Sequence, residues 1–457
     1  MRSFRSGPKL FAALAVFLFT TTAPAEEPPS LDRLEREQRE LREEVERLRR
    51  EVEERRERGA DTEELRRRQG VLADEIRKLR EALVLPERRE LKSAYGLGPA
   101  ASKVYGIERG LSIAGYGEAN FRKLVSERRG KDDVFDFLRF VLYVGYKYRD
   151  WLVFNSEIEF EHATTESTVS AGDGSVSLEF ASVDFLLDPR ANLRAGLLLV
   201  PVGFLNEVHE PPFFHGNNRP PVETELIPTT WRANGFGLFG ELLPGLEYRA
   251  YGVTSLNAKG FSPENLRGGR QRGNRELAND FSGVGRLDYT IVPGVQVGGS
   301  VYLGNQGQDR EFDGRKPGVF LEMYEAHAQV RTHGLELRGL GVYVDIDDAR
   351  ALSAEAGKTI GEVLLGGYAE VAYDVMPHLL PDTEQYLAPW FRYSWIDTQN
   401  DVPEGFERDR SQRRQFVEFG ISYKPIPEFV AKIDARFGFR RDGALEDSVN
   451  FGAGYVF

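Results

Sequence analysis

Between Leu111 and Phe457 this sequence alternates apolar and polar side chains in runs of about ten residues, and no run there approaches 18 consecutive apolar residues. In one run Leu138, Phe140, Leu142, Val144, Tyr146 and Tyr148 share a face, while Arg139, Val141, Tyr143, Gly145 and Lys147 share the other. Period-two alternation is a strand signal. A membrane could be crossed by such a chain only as a closed barrel, because lipid offers no partner to an unpaired peptide group.

The spacing of the runs sharpens this. About sixteen segments read as strands: 111–122, 135–148, 151–162, 175–187, 191–200, 234–242, 246–255, 280–291, 294–304, 319–332, 334–345, 360–373, 385–396, 412–424, 428–439 and 447–457. Short connections (149–150, 188–190, 243–245, 292–294, 333–334, 425–427) alternate with long polar ones (123–134, 163–174, 201–233, 256–279, 305–318, 346–359, 397–411). The turn near 374–384 is longer than its class predicts. Short turns on one rim and long loops on the other are the habit of bacterial outer-membrane barrels, and a β-sandwich has no reason to sort its loops this way. The final run, "SVNFGAGYVF", sets Val449, Phe451, Ala453, Tyr455 and Phe457 on one face. Such an apolar edge is a liability in water but suits a strand that closes a barrel against the first. Tyr148, Trp151, Trp390, Trp395 and Tyr423 sit near strand ends and suit interfacial girdles.

The N-terminal quarter has a different character. Arg2, Arg5 and Lys9 precede the apolar "LFAALAVFLF", and Ala23-Pro24-Ala25 fits a cleavage site, so 1–25 reads as a signal peptide. Residues 26–90 read as a periplasmic coiled-coil stem: Leu31, Leu34, Leu41, Val45, Leu48 and Val52 fall on heptad a and d positions. Gly59 interrupts the pattern, the capping box Asp61–Glu64 restarts a helix, and Pro86 ends it. The seam fits two strands or three, or a hairpin folded back at Gly59. Residues 91–110 read as a linker and 111–457 as the barrel domain.

A cleaved signal, a coiled coil, sixteen strands and a terminal Phe457 together resemble the phosphate-selective porin O/P-like family of Gram-negative outer membranes. The resemblance implies an outer-membrane homotrimer, with the loop between the fifth and sixth strands folded into the lumen. It further implies passive diffusion of small hydrophilic solutes or anions.

That loop, 201–233, would present Glu207, His209, Glu210, His215, Arg219, Glu223, Glu225 and Arg232 to the solute path, stiffened by five prolines. Strand alternation points Arg139, Lys147, Asn155, Glu157, Glu159, Glu161, Glu325, His327, Gln329, Arg331, Arg392, Lys432, Asp434 and Arg436 inward, since a charge facing lipid costs roughly 2–4 kcal/mol at the midplane. Arg139, Arg331, Arg392 and Arg436 are candidates for a cationic track. "HEPPFFH" is not a helical H-E-x-x-H motif, so no metal site is read there. No G-x-S-x-G occurs, the six histidines are scattered, and the chain reads as a non-enzyme without cofactor. The net charge of −12 argues against nucleic acid, and the absence of Cys excludes disulfides. An alternative reading makes the barrel an anchor whose stem is a structural tether reaching towards peptidoglycan.

Overall fold

The computed structural model describes Arg47 and residues 91–126, 131–167, 172–441 and 443–457. The expected signal peptide and, apart from Arg47, the expected stem lie outside the described residues.

Sixteen long antiparallel strands form one closed sheet. They are β1 (Gly110–Ser126), β2 (Val134–Arg149), β3 (Leu152–Glu161), β4 (Ser175–Asp188), β5 (Ala191–Leu199), β6 (Arg232–Leu243), β7 (Leu246–Thr254) and β8 (Phe281–Val292). There follow β9 (Val295–Asn305), β10 (Phe320–Thr332), β11 (Leu335–Ile346), β12 (Val363–Tyr373), β13 (Tyr386–Asp401), β14 (Arg413–Ile426), β15 (Phe429–Arg440) and β16 (Asp447–Val456). A two-residue strand, Gly443–Ala444, sits in the last connection. Each long strand pairs with the next, and β16 returns to β1 with Ala119 opposite Ala453 and Phe121 opposite Phe451. Gly115 and Phe457 exchange backbone hydrogen bonds of 3.1 and 2.9 Å, so the last residue completes the seam. Closure leaves no edge with unpaired amides.

Several expected strand ends move. The tract 397–401 was expected in a loop, but β13 continues through it to Asp401, and β12 starts at Val363. Val363 pairs with Asp401 across a register shift, and Thr398 and Gln399 bond to Pro263 and Thr359. Partners distant in sequence thus extend a strand whose own residues are turn-like. Arg232 and Ala233, expected in the loop, begin β6.

The alternation sorts the two surfaces. Phe135, Leu238, Leu287, Phe391, Ile421 and Phe451 are exposed on the outside. Tyr148 and Trp151 near the short-turn rim are also exposed, but Trp390 is buried on the inner face beside His215 and is not a girdle residue.

Three segments fill part of the interior. The first is 91–109, which includes α1 (Pro99–Gly106). Pro99 opens α1 at a position that needs no amide donor, and its Ala100, Ala101 and Val104 are buried. Lys147 donates to the carbonyls of Tyr105 and Ile107, and Asn155 to that of Ala101. The second is the connection 200–231. The third is 255–280, which packs on the second through Leu266, whose amide donates to the Glu225 carbonyl.

Candidate functional site

The connection between β5 and β6 crosses the barrel rather than standing clear of it. Its base is clasped by Asn206, whose amide nitrogen donates to the carbonyls of Val200 and Trp231 while its oxygen accepts from the Trp231 amide at 2.6 Å. Trp231 is buried against Tyr302, with ring centroids 4.5 Å apart. Pro211 and Pro212 start a short turn at Pro211–Phe213, and Pro221 precedes another at Val222–Leu226. Fixed φ at these prolines limits the conformations available to the loop before it meets the wall.

Side chains from all round the barrel hold it. Glu207 lies 3.6 Å from Arg249 on β7 and 3.9 Å from Arg286 on β8. His209 lies 3.2 Å from Glu157 on β3 and 3.7 Å from Glu179 on β4. Glu210 turns away and accepts from the amides of Ala100 and Ala101 at 3.0 and 3.4 Å, closing the α1 N-terminus. Burial pushes its carboxyl up to about 8, against the pull of those two amides. His215 meets Ser422 at 3.1 Å and Glu336 at 3.8 Å. Glu223 accepts from the Leu205 amide and the Tyr368 hydroxyl, both at 2.6 Å, and burial raises its carboxyl pKa against those bonds. Glu225 pairs with Arg414 at 2.6 Å, and Arg232, on its strand, pairs with Glu179 at 2.7 Å. Arg219 is half-buried, and its Nη2 has no hydrogen-bond partner.

The inner wall is charged but largely compensated. Arg139 bridges Glu118 and Glu159 at 2.8 and 3.1 Å. Arg392 bridges Glu418 and Glu370 at 2.9 and 3.0 Å. Arg331, at the short-turn rim, pairs with Glu336 at 3.3 Å, and Arg436 lies 3.7 Å from Glu418. These four arginines therefore do not form the continuous cationic track that their alternation suggested: each faces a carboxylate. Glu325 and His327 belong to another knot, with His327 between Glu325 at 2.7 Å and Asp288 at 2.8 Å. Gln329 accepts from Arg338, and Glu161 stands near the long-loop rim with Ser175 at 3.3 Å. Lys432 donates to the Gly216 carbonyl and sits 3.7 Å from the Phe214 ring, while Asp434 accepts from the Asn217 amide at 2.8 Å.

Open space remains on both sides of this crossing. A cavity of about 570 Å³ opens on the long-loop side, lined by Arg122, Arg139, Arg219, Arg267 and Arg436 with Glu118, Asp136 and Glu225. A second, of about 480 Å³, opens on the short-turn side between His215, Arg331, Glu336, Tyr386 and Lys424. Phe214 lines both. Arg267 and Arg270 donate to the Thr229 carbonyl from the 255–280 connection. Burial and the neighbouring Arg267 and Arg272 push the Arg270 guanidinium below its ordinary pKa. Sequence reasoning did not find Arg267 and Arg270, because nothing local marks an outer connection that folds inward. The trio His209, Glu210 and His215 of "HEPPFFH" is not brought together, since the three bond to different walls.

No family model matches the chain. An uncharacterized protein of Aquifex aeolicus (strain VF5) is 37% identical over 371 residues, covering 78% of this chain and 82% of that protein. Among solved structures, a loop L8 deletion mutant of OmpT, an outer membrane protein of Vibrio cholerae, has a TM-score of 0.49 at 11% identity, covering 77% of this chain and 100% of its own. The outer membrane channel DcaP of Acinetobacter baumannii has a TM-score of 0.48 at 12% identity, over 76% of this chain and 97% of its own. An anion-selective porin from Comamonas acidovorans has a TM-score of 0.46 at 12% identity, over 77% of this chain and 100% of its own.

Proposed function

This chain belongs to the family of the Aquifex aeolicus protein, and we propose that it is an outer-membrane porin through which small hydrophilic solutes, anions among them, diffuse passively. The observation that carries this reading is the inside-out distribution of side chains on a closed barrel. Apolar residues such as Phe135, 77% exposed, and Leu287, 51% exposed, face outward, while Arg139, Glu159, Arg392 and Asp434 face the lumen. A water-soluble barrel would do the reverse.

The connection 200–231 acts as the constriction. Phe214 stands between the cavities on its two sides, and a passage beside it would set the size limit. Charge at the long-loop mouth favours anions, because Arg122, Arg219 and Arg267 there add to an otherwise paired wall. An anion approaching them relieves the mutual repulsion that burial sharpens. Pairing of the wall arginines argues for general anion preference rather than tight selectivity for phosphate. The heptads of 31–55 support self-association through a periplasmic stem, and the resemblance to O/P-like porins is what favours a trimer.

Reconstitution in planar bilayers tests this reading. Stepwise conductance is expected, with a reversal potential across a salt gradient that reports anion preference. Well-inserted protein that gives no steps overturns the channel, and cation preference overturns the role of the mouth arginines.

A further inference from the structure

One group of side chains in the barrel lines neither of the two cavities described above. Glu157 on β3, Glu179 on β4 and His209 on the crossing loop are each 1% exposed. A ligand-type atom from each lies within 4.8 Å of the other two. His209 Nε2 is 3.2 Å from Glu157 Oε1 and 3.7 Å from Glu179 Oε2. Nitrogen and oxygen ligands bound roughly 2.0–2.2 Å from a tetrahedral ion stand about 3.4 Å from one another, and the two His209 distances are close to that spacing.

The Glu179 oxygen that faces His209 is itself unsatisfied. Glu157 Oε2, Glu179 Oε2 and His209 Nδ1 are buried without a hydrogen-bond partner. Buried carboxylate oxygens left unsatisfied are costly, and two of them beside one imidazole call for a missing partner. The surrounding charge agrees. Arg232 takes the other oxygen of Glu179 at 2.7 Å, and Arg139 is engaged by Glu118 and Glu159. Glu159 stands close enough to repel both Glu157 and Glu179. Arg219 approaches Glu157 and His209 but donates no hydrogen bond to either. Tyr143 donates to Glu157 at 3.4 Å, and the Tyr116 ring packs edge-on against His209 at 5.9 Å, forming a dry wall.

We propose that Glu157, Glu179 and His209 bind a divalent transition-metal ion of the zinc class, which pins the crossing loop to the β3–β4 wall. One imidazole and two carboxylates suit zinc, or with lower affinity manganese. Arg232 holds Glu179 in orientation from behind, and water completes the shell. The ion joins a loop residue to two strands distant from it in sequence, and so restrains the loop where Asn206 does not reach.

The test uses the folded barrel in detergent, stripped with chelator, dialysed against zinc chloride and analysed for bound metal. One zinc ion per chain is expected, retained through gel filtration. Glu157→Gln and His209→Ala should each weaken zinc more than about 100-fold, while His215→Ala retains it. Heat-modifiable migration reports that each variant is folded. Cobalt added to the wild type supplies an independent readout, since a tetrahedral nitrogen–oxygen site absorbs in the visible. Substoichiometric zinc, equal zinc in folded Glu157→Gln, or cobalt with the spectrum of the free aqueous ion would each overturn the site. Metal content reads this proposal whether or not the barrel conducts.

Discussion

Arg392 on β13 donates to the His215 carbonyl at 3.2 Å while its Nε bonds Glu418 at 2.9 Å, so one guanidinium ties the middle of the crossing loop to the inner wall. Its Nη2 also reaches the Asn218 carbonyl at 2.8 Å. The side chain is 1% exposed, between the Glu370 and Glu418 carboxylates, and of other ion pairs Glu418 has only the longer one to Arg436 at 3.7 Å. Arg392→Ala should destabilise the barrel by about 3–5 kcal/mol, because removing one partner of a buried ion network strands the others. It should also free the loop. The heat-modifiability midpoint and open-channel current noise check the two effects, the first falling and the second rising.

Phe214 stands between the cavities and is held by Lys432 at 3.7 Å from its ring. Phe214→Ala should raise single-channel conductance and admit larger solutes in a liposome-swelling assay. The folding energy at stake is the burial of one ring, about 3–5 kcal/mol. An unchanged conductance in a folded variant would move the neck elsewhere.

Arg219, like Arg122 in the same mouth cluster, has a buried guanidinium nitrogen without a hydrogen-bond partner. Arg219→Glu reverses a charge beside Glu118 and Glu225 and should shift the reversal potential towards cations. The shift should shrink as salt rises, since the Debye length falls from about 10 Å at 0.1 M to about 3 Å at 1 M.

The outer surface makes a prediction of its own. Phe391, opposite Phe419 in the β13–β14 ladder, is 44% exposed on the outside. Phe391→Arg should cost about 2–4 kcal/mol if it lies at the bilayer midplane, whereas Trp151→Arg at the rim should cost no more than about 1 kcal/mol. Urea unfolding from lipid vesicles measures both. Equal costs would contradict a depth-dependent lipid contact.

How far the sequence reached can be read from particular residues. The strand ladder was legible, from Gly110 to the closure of Phe457 on Gly115, because side-chain direction repeats every two residues and lipid penalises any slip. The inward direction of Arg392, Lys432 and Asp434 followed from that same alternation. Their partners did not. Arg392 meets Glu370 and Glu418, 22 and 26 residues away, and His215, 177 residues away. No local pattern distinguishes a free cation from a paired one. The inward course of 255–280, the docking of Glu210 on α1 and the meeting of His209 with Glu157 and Glu179 are likewise absent from the sequence as a signal. Periodicity is a property of neighbours along the chain and fixes which way a strand residue points. What fills the lumen depends on charges and amides brought together across the barrel, and only closure of the sheet puts those within reach of one another.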